Sequence, residues 1–232
     1  MLNITPAALA ATIDHTLLDL AATPAQIAQL CQEAQTQGFA AVCIYPQFLP
    51  IAYQCQQSFH PAKFKLAAVI DFPLGQSDPA TRYAMAEDAI KNHAQELDLV
   101  LNREWLHQKK YAAIYEELSR FKQLPAPTKL ILETSLLTYP EKVAAMALVS
   151  AAQIMMAKTS TGVYGKATIE DVALLAELAG GQVGIKASGG IRTYEQALMM
   201  LAAGATRLGT SQAMHIMHEA EATAAANAHK AP

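Results

Sequence analysis

Residues 153–162 read QIMMAKTSTG and residues 183–190 read VGIKASGG. Each is a short apolar run that ends on a lysine, Lys158 or Lys186, and passes at once into small polar residues and glycine. A parallel strand arriving at the catalytic rim of a barrel has this form, with the functional residue at its C-terminal end. The two runs are separated by a segment of helical length, so together they read as strand, crossover helix, strand.

The same alternation extends outward along the chain. Strands are expected near residues 12–15, 39–45, 65–72, 96–102, 129–134, 153–159, 183–188 and 207–210, which makes eight. Helix starts are announced by Thr23-Pro24, by Asp78-Pro79, and by Thr193 with Gln196 three residues on. Gly38 and Gly204 sit where helices stop, and Pro125-Ala126-Pro127 breaks the chain as a loop does. An open doubly wound sheet is the competing architecture, but no GxGxxG follows the first strand and no second domain closes a crevice. The expected fold is a single (β/α)8 TIM barrel over residues 1–232, with an alanine-rich tail from about Glu219 that loses core periodicity and frays at its end.

Composition supports one domain: 232 residues, 52% of them hydrophobic, can bury a large core. A formal net charge of −3 without long runs of either sign gives no footprint for nucleic acid or an anionic membrane. The first residues lack a basic leader and meet Asp14 and His15, so a cytoplasmic protein is expected. The apolar stretch 143–157 is interrupted by Ser150 and Gln153 and is too short to span a membrane. Cys31, Cys43 and Cys55 form no ligand pattern and suit reduced thiols. The seven histidines show no HExxH-like spacing, so no metal site is expected.

One lysine at a strand end is equally read as the point where a strand meets water; two on adjacent strands point to chemistry. A free lysine amine has a pKa near ~10.4 and is almost wholly protonated at neutral pH. A second ammonium close by, with partial desolvation, favours an uncharged amine and makes imine formation with a carbonyl feasible. In ELDLVLN, Asp98 is a charge inside an apolar strand, where it is costly without a partner. Alternation sends Leu97 and Leu99 toward the helices and Asp98 into the barrel. There it is either a structural ion-pair partner or a carboxylate that relays protons.

Glycine-bearing segments at Gly162, Gly189-Gly190 and Gly209-Thr210-Ser211 follow the late strands, where barrels often bind phosphate; each alone also fits an ordinary tight turn. Asp14 either orients a lysine or caps a turn. Thr161 supports the site next to Gly162. Cys43 reads as a small core hydrophobe near the site. Glu133 is a strand-end carboxylate that is either catalytic or buried and hydrogen-bonded.

The motifs IDHTLL, FPLG, ELDLVLN, LETSLL, KTSTG, IKASGGIRTYEQAL and AGATRLGTS, from Ile13 to Ser211, resemble those of the deoxyribose-phosphate aldolases in order and spacing. The resemblance implies reversible cleavage of 2-deoxy-D-ribose 5-phosphate to D-glyceraldehyde 3-phosphate and acetaldehyde, without metal or organic cofactor. It implies Lys158 as the Schiff-base lysine, Lys186 as its perturbing partner and proton-transfer aid, and Asp98 as the acid/base residue. It places Gly162, Gly189, Gly190, Arg192, Gly209 and Ser211 around the phosphate. Partners would be small aldehydes and sugar phosphates, and the chain would form a homodimer or homotetramer.

Some positions depart from that pattern. KTSTG continues as VYGKAT, with Val163 and then Lys166; Gln212 stands where a second serine is common, and Asp71 precedes FPLG where Gly or Asn is usual. The segment after Asn102 lacks the usual Ile/Val-Gly pair, and the last tyrosine is Tyr194. Asp71 either repels phosphate or points away from it, and weaker phosphate dependence is expected. Two competing readings are a noncatalytic sugar-phosphate-binding barrel and another Schiff-base aldolase or transaldolase.

Overall fold

A computed structural model of the protein describes residues 4–228. Eight strands, β1 (Ile13–Leu17), β2 (Ala41–Ile44), β3 (Lys65–Ile70), β4 (Glu96–Val100), β5 (Thr128–Ile131), β6 (Met156–Lys158), β7 (Gly184–Ser188) and β8 (Arg207–Thr210), pair in parallel and in sequence order. Pairing of β1 with β8 closes the sheet into a barrel. Its principal outer helices are α2 (Pro24–Gln37), α3 (Leu49–Gln57), α4 (Pro79–Lys91), α6 (Tyr111–Lys122), α7 (Tyr139–Ala151), α8 (Ile169–Ala179), α9 (Tyr194–Ala202) and α10 (Ala213–Ala228). Two shorter helices, α1 (Pro6–Ala10) and α5 (Arg103–His107), precede β1 and α6. This is the (β/α)8 barrel.

The helix signals act locally as their chemistry requires. Thr23 with Gln26 and Thr193 with Gln196 form reciprocal capping boxes, and Asp78 accepts hydrogen bonds from the N–H groups of Ala80 and Thr81. Gly38 ends α2 in the left-handed conformation.

Several strands stop short of the expected limits. β3 ends at Ile70 because Asp71 has φ 52°, and β5 ends at Ile131, two residues before Glu133 at φ 59°. A left-handed residue turns the chain out of the extended conformation. The alanine-rich stretch from about Glu219 continues α10 to Ala228, and the end of the tail, where fraying was expected, lies outside the described residues. Ala220 is buried, and Glu219 accepts the N–H of Tyr194 at 2.7 Å, so the helix is tied to α9. Residues 221–227 are exposed, and residues 229–232 lie outside the described residues.

Alternation divides the apolar side chains into two layers. Ile13, Leu66, Leu97 and Leu99 belong to the large core between barrel and helices, whereas Ala41, Cys43, Ala67 and Val69 pack inside the barrel. The small size of the inner set leaves room for charged side chains within the barrel. Among the described residues, no helix is long and apolar enough to cross a membrane.

Candidate active site

On β4, Glu96 and Asp98 lie two residues apart and therefore share the inner face. Asp98 is fully buried and receives three ammonium groups: Lys129 on Oδ1 at 3.0 Å, and Lys158 and Lys186 on Oδ2 at 2.8 Å each. Asp14 on β1 accepts from Lys186 and, at 2.7 Å, from Arg207. Lys129 also pairs with Glu96 at 2.5 Å. Register brings these groups together, since Lys158 stands beside Lys186 and Asp98 beside Lys129 on neighbouring strands. Four cations (Lys129, Lys158, Lys186, Arg207) thus meet three carboxylates (Asp14, Glu96, Asp98) inside the barrel.

Burial strongly opposes the charged form of Asp98, but Lys129, Lys158 and Lys186 together hold its carboxyl well below the usual range. Burial likewise works against the charge of Lys186, yet Asp14 and Asp98 raise it above the ordinary lysine value. The two carboxylates thus favour the ammonium form of Lys186. Asp14 orients that lysine; of its two expected roles, the turn cap is not the one formed. Cys43 donates toward Asp98 Oδ2 at 3.7 Å, and burial pushes its thiol up to about 11, so it packs the inner core as a neutral group.

Above this layer opens a cavity of about 520 Å³. Among the described residues Lys158 is the lysine that lines it; Lys129 and Lys186 lie beneath. Thr161, Gly162, Gly189, Gly190, Arg192, Gly209 and Ser211 all line the cavity, so the sequence-derived set converges on one opening. Gly209, however, is a residue of β8 and not of a turn. A Cβ there would lie 2.9 Å from Ser188 Cβ and 3.0 Å from Lys186 Cε, so the glycine makes space for Lys186.

Asp71 does not line the cavity. Its carboxylate accepts the N–H and Oγ–H of Ser77 at 2.9 and 2.8 Å and faces Arg82 Nε at 3.5 Å, so the possibility of direct repulsion is replaced by a tie within the β3–α4 loop. Val163 reaches the cavity, while the aliphatic part of Lys166 covers Gly190.

Glu133, left undecided by sequence, is fully buried and accepts Ser160 Oγ at 2.6 Å, the Thr161 N–H at 3.1 Å and Thr161 Oγ1. It fixes the loop that follows Lys158.

Lys129, Glu96 and Arg207 were not singled out in the sequence. Their signal was period-two spacing: Glu96 with Asp98, and Arg207 with Gly209, each fall on the inner face, while Lys129, the second residue of β5, stands beside Asp98. Among the described residues no group of three or more His, Cys, Asp or Glu side chains is arranged to hold a metal ion.

A closed (β/α)8 barrel that offers one buried lysine to its cavity, above a carboxylate and a second fixed ammonium, is the arrangement of a Schiff-base aldolase. The family described as DeoC/LacD family aldolase matches residues 8–217, and the chain belongs to that family. It is 43% identical over 215 residues to the deoxyribose-phosphate aldolase of Microcystis aeruginosa, covering 92% of this chain and 94% of the relative. It is 44% identical over 210 residues to that of Thermosynechococcus vestitus, covering 90% and 95%. Its fold is similar to the tetrameric deoxyribose phosphate aldolase of Aeropyrum pernix, with a TM-score of 0.86, 32% identity, and 94% and 93% of the two chains covered.

Proposed function

We propose that the protein is a class I aldolase that reversibly cleaves 2-deoxy-D-ribose 5-phosphate into D-glyceraldehyde 3-phosphate and acetaldehyde. The observation that carries this reading is the placement of Lys158: among the described residues it is the lysine that faces the cavity, and its Nζ is 2.8 Å from Asp98.

The neutral Lys158 amine attacks C1 of the open-chain sugar, and loss of water from the carbinolamine gives a protonated imine. That imine draws electrons from the breaking C2–C3 bond while the C3 hydroxyl gives up its proton. D-glyceraldehyde 3-phosphate leaves and an enamine remains, which takes a proton at carbon and is hydrolysed to acetaldehyde and free lysine. Asp98 and Lys186 meet at one oxygen and serve the proton transfers, with Asp98 as acid/base partner and Lys186 as the fixed ammonium. Of the lysines that meet Asp98, Lys158 is the one open to the cavity.

Arg192, the backbone at Gly162, Gly189 and Gly190, and Ser211 just before α10 form the phosphate end of the cavity in this reading. Thr161 steadies the loop between Lys158 and Gly162. The partners are small aldehydes and sugar phosphates in the cytoplasm, not nucleic acid, and the active form is a homo-oligomer. The net charge of −3 supports the exclusion of nucleic acid, and the tetrameric Aeropyrum pernix relative supports the homo-oligomer.

The test is borohydride reduction in the presence of acetaldehyde, followed by peptide mass spectrometry, with Lys158→Ala as control. A reduced ethyl group on Lys158, absent in the variant, is the expected result. No adduct in folded protein would overturn the aldolase mechanism and favour a noncatalytic sugar-phosphate-binding barrel.

A further inference from the structure

We infer that Asp71 is a positioning residue that sets the wall of the cavity facing the phosphate end, and thereby the fit of the sugar. The inference rests on the aldolase reading above.

β3 ends at Ile70, and Asp71 turns the chain through a left-handed conformation, φ 52°, that aspartate, asparagine and glycine adopt more readily than other residues. The next two residues, Phe72 and Pro73, line the cavity. The Phe72 ring meets Tyr45, another lining residue, edge to face at 5.9 Å. In an eight-stranded barrel β3 lies four strands from β7, so this apolar wall stands across the cavity from Gly189 and Gly190, with Lys158 on the floor between them.

The wall has a built anchor. The Asp71 carboxylate closes residues 71–77 into a loop through its two bonds from Ser77, and the Asp71 carbonyl accepts the Gly75 N–H at 2.8 Å. Arg82, fully buried on α4, faces that carboxylate, faces Glu117 at 3.2 Å, and donates to the carbonyl of Val100. Val100 is two residues beyond Asp98, so one guanidinium ties the loop to the strand that carries the buried carboxylate. The loop also presses directly on that strand: a Cβ at Gly75 would lie 2.7 Å from the Leu101 carbonyl oxygen. Leu74, between the anchored ends, is exposed, so the segment depends on these ties. Loosening them shifts Phe72 and Pro73, and none of these ties involves Lys158.

The experiment compares Asp71→Asn and Asp71→Gly with the parent. Both substitutions accept the left-handed backbone, and asparagine keeps an oxygen for Ser77. KM and kcat are measured with 2-deoxyribose 5-phosphate, alongside the rate of borohydride trapping of acetaldehyde on Lys158. Asp71→Gly is expected to raise KM by roughly tenfold and Asp71→Asn by less, with the trapping rate unchanged in both, because a misplaced wall spoils substrate fit without touching the amine. An unchanged KM in Asp71→Gly would overturn the inference. So would a trapping rate that falls in step with KM and melting temperature, which marks a merely structural role. Absence of trapping in the parent would overturn the aldolase reading and the inference with it.

Discussion

Lys158 and Lys186 donate to the same atom, Oδ2 of Asp98, each at 2.8 Å. The shared oxygen brings a fixed ammonium to the lysine that faces the cavity and gives both one carboxylate through which a proton can pass. Lys186 has a second carboxylate, Asp14, which with Asp98 favours its ammonium form, whereas Lys158 faces the cavity.

Asp98→Asn should lower kcat by about 10²- to 10⁴-fold, the range usual for loss of an acid/base group. It also leaves Lys158 without its carboxylate and weakens the pairing of Lys129 and Lys186, which keep Glu96 and Asp14, and breaking such a buried pair costs about 3–5 kcal/mol. Steady-state kinetics with a urea melt on the same sample separates the two effects; full activity in a folded variant would remove Asp98 from the mechanism.

Stability should depend on pH through the same groups. Asp14 and Asp98 titrate below the ordinary value of 3.8, so their contribution is present above that value and is lost as pH falls through their lower folded values. Lys186 titrates above 10.5, so its contribution is complete below that value and is lost as pH rises past its folded value. Urea midpoints measured across pH should fall in acid, and Asp14→Asn should make the acid limb shallower. An unchanged limb would mean that other groups set it.

Gly209→Ala discriminates two roles. A methyl group 3.0 Å from Lys186 Cε and 2.9 Å from Ser188 Cβ must displace something, at about 1–3 kcal/mol for overpacking. If the glycine serves as clearance for Lys186, kcat falls and KM holds. A rise in KM alone would instead support Gly209 as a phosphate contact.

Glu133→Gln keeps the shape but removes the charge that three donors from Ser160 and Thr161 share. Hydrogen bonds to a charged group are worth about 1.5–3 kcal/mol each, so the loop after Lys158 should open more often. Hydrogen exchange should rise across residues 159–163 and kcat/KM should fall. Unchanged exchange there would show that Glu133 does not hold the loop.

Arg192→Ala should raise KM for 2-deoxyribose 5-phosphate while leaving that for unphosphorylated 2-deoxyribose unchanged. The weaker phosphate dependence expected from Val163, Gln212 and Asp71 loses one of its grounds, since Asp71 is turned to Ser77 and Arg82. Comparing the two substrates in the parent tests what remains of that expectation: a loss of kcat/KM on phosphate removal as large as in relatives with the usual loops would refute it.

Local patterns in the sequence determined much of this protein. Apolar runs of strand length alternating with segments of helical length set the eight-fold repeat, and period-two alternation turned Asp98 inward. Lys158 and Lys186 were legible because each ends an apolar run where a charge has to be explained by water or by function. The tertiary structure alone decided which charges meet. Asp14 lies 172 positions from Lys186 and Asp98 lies 60 from Lys158, and only closure of β8 onto β1 with a fixed register brings them within hydrogen-bonding distance. It also decided that Lys129 joins them, that Gly209 gives Lys186 its room, and that Asp71 faces Arg82 and not the cavity. Side-chain direction at a strand end depends on backbone dihedrals and on partners from distant strands, and neither is encoded in the spacing of neighbouring residues.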